Sequence, residues 1–232
     1  MGKMFDFSLI FKDLPLLLSC LYITLLIVIF ATVIGLILGI VLALFRLYKI
    51  PILSQLATIY ISFNRGTPII VQLFIVYFGL PNVLLSIGID INRWDKLYFV
   101  IITYGLNAAA FMSEIIRASI TSVDIGQTEA AYSVGMTRLQ TFYRIVAPQS
   151  ILIALPNLGT SFLGLLQDTS LAFTIGIIDV MGKAKAIGAT TYHSIEAYIA
   201  AAIIFLVLGT LLEKGFTIIE KKVEYKKVVL KL

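Results

Sequence analysis

Apolar residues in this chain gather into long runs, separated by short polar segments. The first run, Leu14 to Phe45, holds about 32 residues and would be roughly 48 Å long as a helix. That exceeds the ~30 Å hydrocarbon layer, so a single span there must tilt or project beyond the bilayer. It is also far longer than the apolar part of a cleaved leader, so it reads as a retained span. Within it, Gly35 and Gly39 form a small-xxx-small pair that would let a neighbouring helix approach closely. Residues Pro51 to Phe63 are amphipathic and suit the membrane interface. Further spans are predicted over Pro68–Leu80, Leu97–Ile120, Pro148–Met181 and Ile195–Leu212. Pro68 suits a first helical turn, where its missing N–H is no loss. A turn is expected at Pro81–Asn82, followed by a loop to Lys96, with Trp94 and Tyr98 at an interface.

Composition supports a membrane protein. Hydrophobic residues make up 59% of the 232 and charged residues 13%, about half the charge of a soluble domain. Mean hydropathy is +1.00. Five spans put the termini on opposite sides. With the amino terminus outside, twelve of the eighteen basic residues face inward, from Arg46 and Lys49 to Lys226, Lys227 and Lys231. The other six, among them Lys3, Lys12, Arg93 and Lys183, face outward. The positive-inside rule therefore places the carboxyl terminus in the cytoplasm. This distribution also explains the net charge of +5 without nucleic acid: the lysines set topology and meet lipid. Cys20, the single cysteine, permits no intrachain disulfide and reads as a helix- or lipid-facing residue. His193 reads as a surface residue. No metal cluster, nucleophile–base set or phosphate-loop motif is present, and no cofactor is expected. The chain is not expected to be an enzyme.

Three carboxylates lie in or near apolar runs, where an acid is expensive: Glu114, Asp168 and Asp179. Glu114 has Arg117 three residues on and reads as an ion pair. Asp179, near Lys183, is expected to reach water. Asp168 lies inside Pro148–Met181, which is too long for one straight span. A break between Pro156 and Gly164 would bring Asp168 to mid-membrane, lining a cavity with Thr169 and Ser170. One charge and two hydroxyls there could receive the α-ammonium of an amino acid. A polar helix-packing cluster is the alternative.

The most polar internal stretch, Thr121 to Ala147, reads as two short helices hinged at Gly135, the second over Thr137–Tyr143. Glu129, Ala130 and Ala131 are followed by Gly135, then by Ile145 and Pro148. This pattern resembles the cytoplasmic "EAA" loop of binding-protein-dependent ABC transporter permeases, with Ala147 where that family usually has leucine. Three other segments resemble its polar amino-acid branch: Arg65–Pro68 through Gln72 to Tyr77–Pro81; Glu114 with Arg117 leading to Gly126–Gln127; and Asp168–Leu171. The resemblance covers about residues 15–220.

The resemblance implies an all-α membrane protein of the type I ABC importer permease fold. One permease domain fills residues 1–232, with five transmembrane helices and a coupling loop at about 121–147. It implies a multi-pass protein of the cytoplasmic membrane and a second permease subunit, as a homodimer or with a related chain. A cytoplasmic ABC ATPase dimer would dock on Glu129, Ala130, Ala131 and Gly135, and an external solute-binding protein would deliver substrate. It further implies that Asn107 faces the cavity, and that Ser161 stands where cation-carrying members have a second acid. A neutral polar amino acid is therefore expected. The Ser161–Leu171 stretch looks most like cystine-type permeases, with glutamine the main rival. A passive channel, which would need no docking loop, is the rival class.

Overall fold

A computed structural model describes residues 5–229, with side chains described as far as residue 222. Lys3 and Lys231, which enter the charge count above, lie outside the described residues, as do the side chains of Lys226 and Lys227. The described residues form helices α1 (Phe7–Leu18), α2 (Leu21–Leu47), α3 (Leu53–Gly66), α4 (Ile69–Ser86), α5 (Lys96–Thr121), α6 (Ile125–Ser133), α7 (Arg138–Ile175), α8 (Val180–Thr191) and α9 (Ser194–Val229). Five of them, α2, α4, α5, α7 and α9, are long and apolar enough to cross a membrane.

The overlong first run is resolved by a break, not by tilt alone. Asp6 starts α1 by accepting the Ser8 N–H at 2.9 Å. Pro15 sits inside α1, and the chain turns at Ser19–Cys20, where the Ser19 hydroxyl donates to the Leu16 carbonyl at 2.7 Å. The crossing helix therefore begins at Leu21, not Leu14. Ile10 and Leu17 of α1 pack with Val180 and Ala184 of α8 and Ala197, Ala200, Ala201 and Ile204 of α9. Phe7 and Phe11 stay exposed. Glu196 ties this end together, accepting the Asp6 N–H at 2.9 Å and lying 2.9 Å from His193 Nδ1. His193 is thus partly exposed but paired.

The α2–α5 contact is the most extensive among the described helices, and small residues allow it. A Cβ on Gly35 would lie 2.8 Å from Ala108 Cβ, and one on Gly39 would lie 3.1 Å from Met112 Cβ. Gly105 returns the relation, since a Cβ there would meet Ile34 at 2.7 Å. Backbones this close gain dispersion contacts, the main attraction available between helices in lipid.

Two expected interruptions fall elsewhere. Pro68 is the residue before α4 and is extended, with φ −62° and ψ 139°. Pro81–Asn82 is not a turn: the backbone widens into a π segment over Ile75–Gly79 and continues as helix through Pro81 to Ser86. The wider turn accommodates the missing proline N–H without ending the helix. The following loop shrinks to residues 87–95, and Asp95 caps α5 by accepting the Leu97 N–H at 2.8 Å.

The fourth apolar region is continuous through Pro156 and Gly164, so no break occurs there. The second arm expected over Thr137–Tyr143 is the beginning of this same helix, fixed by a capping box between Thr137 and Gln140. The α-helical part of α7 ends at Asp168 and tightens to a 3₁₀ segment over Thr169–Ile175. Gly176, at φ 87°, ends it. Asp179 does not reach water. It is fully buried and caps α8 through the Gly182 N–H at 2.8 Å. Burial pushes its carboxyl up to about 6, against the lowering effect of that hydrogen bond.

Candidate functional site

The continuous α7 helix sets a polar stripe on one face. Asn157, Thr160, Ser161, Gly164 and Asp168 recur at helical spacing, and all five line a cavity of about 330 Å³. The facing wall is α5, through Asn107, Ala108, Phe111 and Ile115. Of the residues singled out in the sequence, Asn107, Ser161 and Asp168 meet here. Thr169 and Ser170 are not among the lining residues: Thr169 is fully buried and its hydroxyl donates to the Leu166 carbonyl at 2.6 Å. Asn157 and Thr160 were missed because a break was expected across the stretch whose periodicity would have revealed them.

Asp168 occupies the point where α7 changes from α to 3₁₀. Helix ends leave carbonyls without intrahelical donors. The buried Tyr104 hydroxyl meets one of them, donating to the Asp168 carbonyl at 2.9 Å. The Asp168 carboxylate has no hydrogen bond or ion pair among the described residues. A carboxylate held in an apolar region without a protein partner is available to a ligand. Among the described residues no group of three or more His, Cys, Asp or Glu side chains could hold a metal.

A second ionic cluster lies further along α5. Glu114 is joined by arginines from three helices: Arg46 of α2 pairs with Oε1, Arg117 of α5 lies 3.0 Å from Oε2, and Arg65 of α3 lies 4.0 Å from it. Helical spacing on α5 points to Arg117 alone. Arg46 and Arg65 are distant in sequence, so spacing could not reveal them. Arg65 also stands 5.8 Å from the centre of the Phe111 ring, which lines the cavity.

The loop between α5 and α7 projects from the bundle. Asp124 starts α6 by accepting the Gly126 N–H at 2.7 Å. On α6, Glu129 and Ala130 are exposed and Ala131 is buried. Gly135 follows at φ +81°, with nothing within 4 Å of where a Cβ would be. Large apolar side chains remain exposed around it, including Ile125, Val134 and Leu139.

Among the described residues, five helices long and apolar enough to cross a membrane, with a cavity between two of them, define a multi-pass membrane protein. Residues 35–225 match the binding-protein-dependent transport system inner membrane component family, and the chain belongs to that family. It is 46% identical to the L-cystine transport system permease protein TcyL of Bacillus subtilis (strain 168), over 97% of this chain and 94% of that protein. It is 39% identical to the arginine transport system permease protein ArtQ of the same organism, over 95% and 96% of the two chains. A solved amino acid ABC transporter with histidines superposes with a TM-score of 0.84 at 34% identity, over 95% of this chain and all of that one. The fold is that of a type I ABC importer permease, in a multi-pass inner membrane protein.

Proposed function

We propose that this chain forms the translocation pathway of an amino-acid ABC importer and that its cargo is L-cystine, with glutamine or another neutral polar amino acid as the second reading. The observation that carries the proposal is the Asp168 carboxylate, which lines a cavity between two spanning helices and has no partner among the described residues. Asp168 matches one α-ammonium, and among the described lining residues Ser161 stands where a second acid would be needed to balance a net cationic solute. L-cystine has a second α-ammonium but balances it with its own second carboxylate. The similarity to TcyL favours cystine. Thr169 and Ser170 serve by shaping the 3₁₀ segment behind Asp168, while Asn107 and Ser161 touch the substrate.

The importer needs three partners. A cytoplasmic ATPase dimer docks on Glu129, Ala130, Ala131 and the Gly135 turn, where exposed apolar side chains fit a groove on a soluble protein. A second permease subunit completes the pathway, and an extracytoplasmic binding protein supplies the solute. Gly135→Val tests the docking element. Valine is strained at φ +81°, by about 1–3 kcal/mol, and nothing clashes, so the effect is confined to the turn. ATPase co-purifying with the permease is expected to fall several-fold, with loss of solute-stimulated ATP hydrolysis. Normal assembly and coupling would remove the docking assignment.

The amino terminus lies outside and the carboxyl terminus in the cytoplasm. In a Cys20→Ser background, single cysteines at Asn92 and Lys226 report the two sides. An impermeant thiol reagent applied to intact cells is expected to label position 92 and spare position 226. The reverse pattern would invert the topology.

A further inference from the structure

Asn107 lines the cavity, and an amide can present either an acceptor or a pair of donors to a ligand. Which one it presents follows from hydrogen-bond logic at the α3–α4 junction. Helix α3 ends at Gly66, so its last carbonyls lack intrahelical donors. Gln72 Nε2 lies 2.9 Å from the Asn64 carbonyl, 3.0 Å from the Thr67 carbonyl and 2.9 Å from the Thr67 hydroxyl oxygen. The Thr67 hydroxyl already donates to the Phe63 carbonyl at 2.8 Å, so towards Gln72 it only accepts. Three acceptors converge on one end of the Gln72 amide, and that end must be its NH₂. Its Oε1 is thereby turned towards Asn107, 3.0 Å away, where it too can only accept. The Asn107 NH₂ must then point at Gln72, with the Asn64 carbonyl 3.5 Å away. Among the described residues, the Asn107 Oδ1 is left without a partner. Both Gln72 and Asn107 are buried, at 4% and 7% exposure, so water does not compete freely for these bonds.

We propose that Gln72 is a positioning residue for substrate selection: it locks the Asn107 amide so that a carbonyl oxygen, not an NH₂ group, faces the cavity opposite Asp168. This inference rests on the reading of that cavity as the amino-acid site. Two acceptors on facing helices, one of them charged, form a receptor for an ammonium group and disfavour a bare carboxylate. Without Gln72, Asn107 is free to rotate its donors towards the ligand. Gln72 itself touches no substrate.

The test is a double-mutant cycle on the purified permease–ATPase complex without binding protein. Binding of L-cystine and of 3,3′-dithiodipropionate, which lacks both ammonium groups, is measured for the parent, Gln72→Leu, Asn107→Ala and the double variant. L-Glutamine is run in parallel. Gln72→Leu is expected to weaken L-cystine binding about tenfold while leaving 3,3′-dithiodipropionate binding unchanged or stronger. In the Asn107→Ala background, Gln72→Leu is expected to add less than about twofold, because the group it positions is gone. Equal weakening of both ligands, or full additivity with Asn107→Ala, would overturn the positioning role. So would failure of both Gln72→Leu and Gln72→Met to assemble, which would make Gln72 a structural support of the α3–α4 junction. A parent complex that binds neither L-cystine nor L-glutamine, or normal binding in both Asn107→Ala and Asp168→Asn, would instead overturn the reading of the cavity.

Discussion

Asp168→Asn is expected to weaken amino-acid binding in the cavity by ten- to a hundredfold and to lower uptake accordingly. The substitution keeps the volume of the side chain and removes its charge. A hydrogen bond to a charged group contributes about 1.5–3 kcal/mol, and each 1.4 kcal/mol is a factor of ten in affinity. Two features isolate the effect. The Asp168 carboxylate has no partner among the described residues, so its loss breaks none of their bonds. The bond that fixes the local backbone, from Tyr104 Oη to the Asp168 carbonyl, does not involve the side chain. The complex should therefore assemble normally, and the external binding protein should keep its own affinity. Binding to the detergent-purified complex, read beside its melting temperature, checks this. Parent-level binding would make Asp168 a packing residue. A failure to assemble would make it a structural one.

Glu114→Ala is expected to act on stability. In the parent, one carboxylate accepts arginines from α2, α3 and α5 at 19% side-chain exposure. Removing it leaves three like charges converging without a counter-ion. Stripping one partner from a buried ion pair costs about 3–5 kcal/mol, and partial exposure here brings the expectation to about 2–3 kcal/mol. A clear fall in the melting temperature is expected, partly restored by high salt, which screens the remaining arginines. A milder change separates the charge from the space it fills: Glu114→Gln keeps the volume and should lose most of the same stability. Melting curves of the two variants matching the parent would show that the arginines are solvated independently of Glu114.

Much of the architecture was legible because a bilayer imposes simple lengths. Spans near Leu97–Ile120 and Ile195–Leu212 were placed within a few residues at their starts, since polar residues bound them. The Gly35–Gly39 pair identified the α2 face that meets α5. The short helix carrying Glu129 and the turn at Gly135 were legible, because a local helix start and a glycine at positive φ are written in short-range sequence. The breaks were read less well, for one physical reason. Proline was taken to end a helix at Pro81 and Pro156, yet both sit inside helices. In a bundle, neighbouring helices and wider turns can absorb the lost hydrogen bond. Expecting a break at Pro156 cut the polar stripe in two and hid Asn157 and Thr160. The real change of helix type, at Asp168–Thr169, is marked by no proline and depends on Tyr104, 64 residues away in the chain. The same limit applies to Asp179, whose neighbour Lys183 suggested water while tertiary packing buried it. Gln72 was noticed as part of a family pattern, but its bonds to Thr67 and Asn107 join segments that sequence spacing does not connect.

As the permease of an importer, this chain should move an amino acid only when driven by an ATPase and fed by a binding protein. Uptake of labelled L-cystine into proteoliposomes decides this. The reconstituted complex is loaded with ATP inside or outside, with and without the binding protein. Accumulation against a gradient is expected only when ATP is on the ATPase side and the binding protein is on the opposite side. Equilibration of L-cystine at the same rate without ATP would contradict the claim and identify a passive channel.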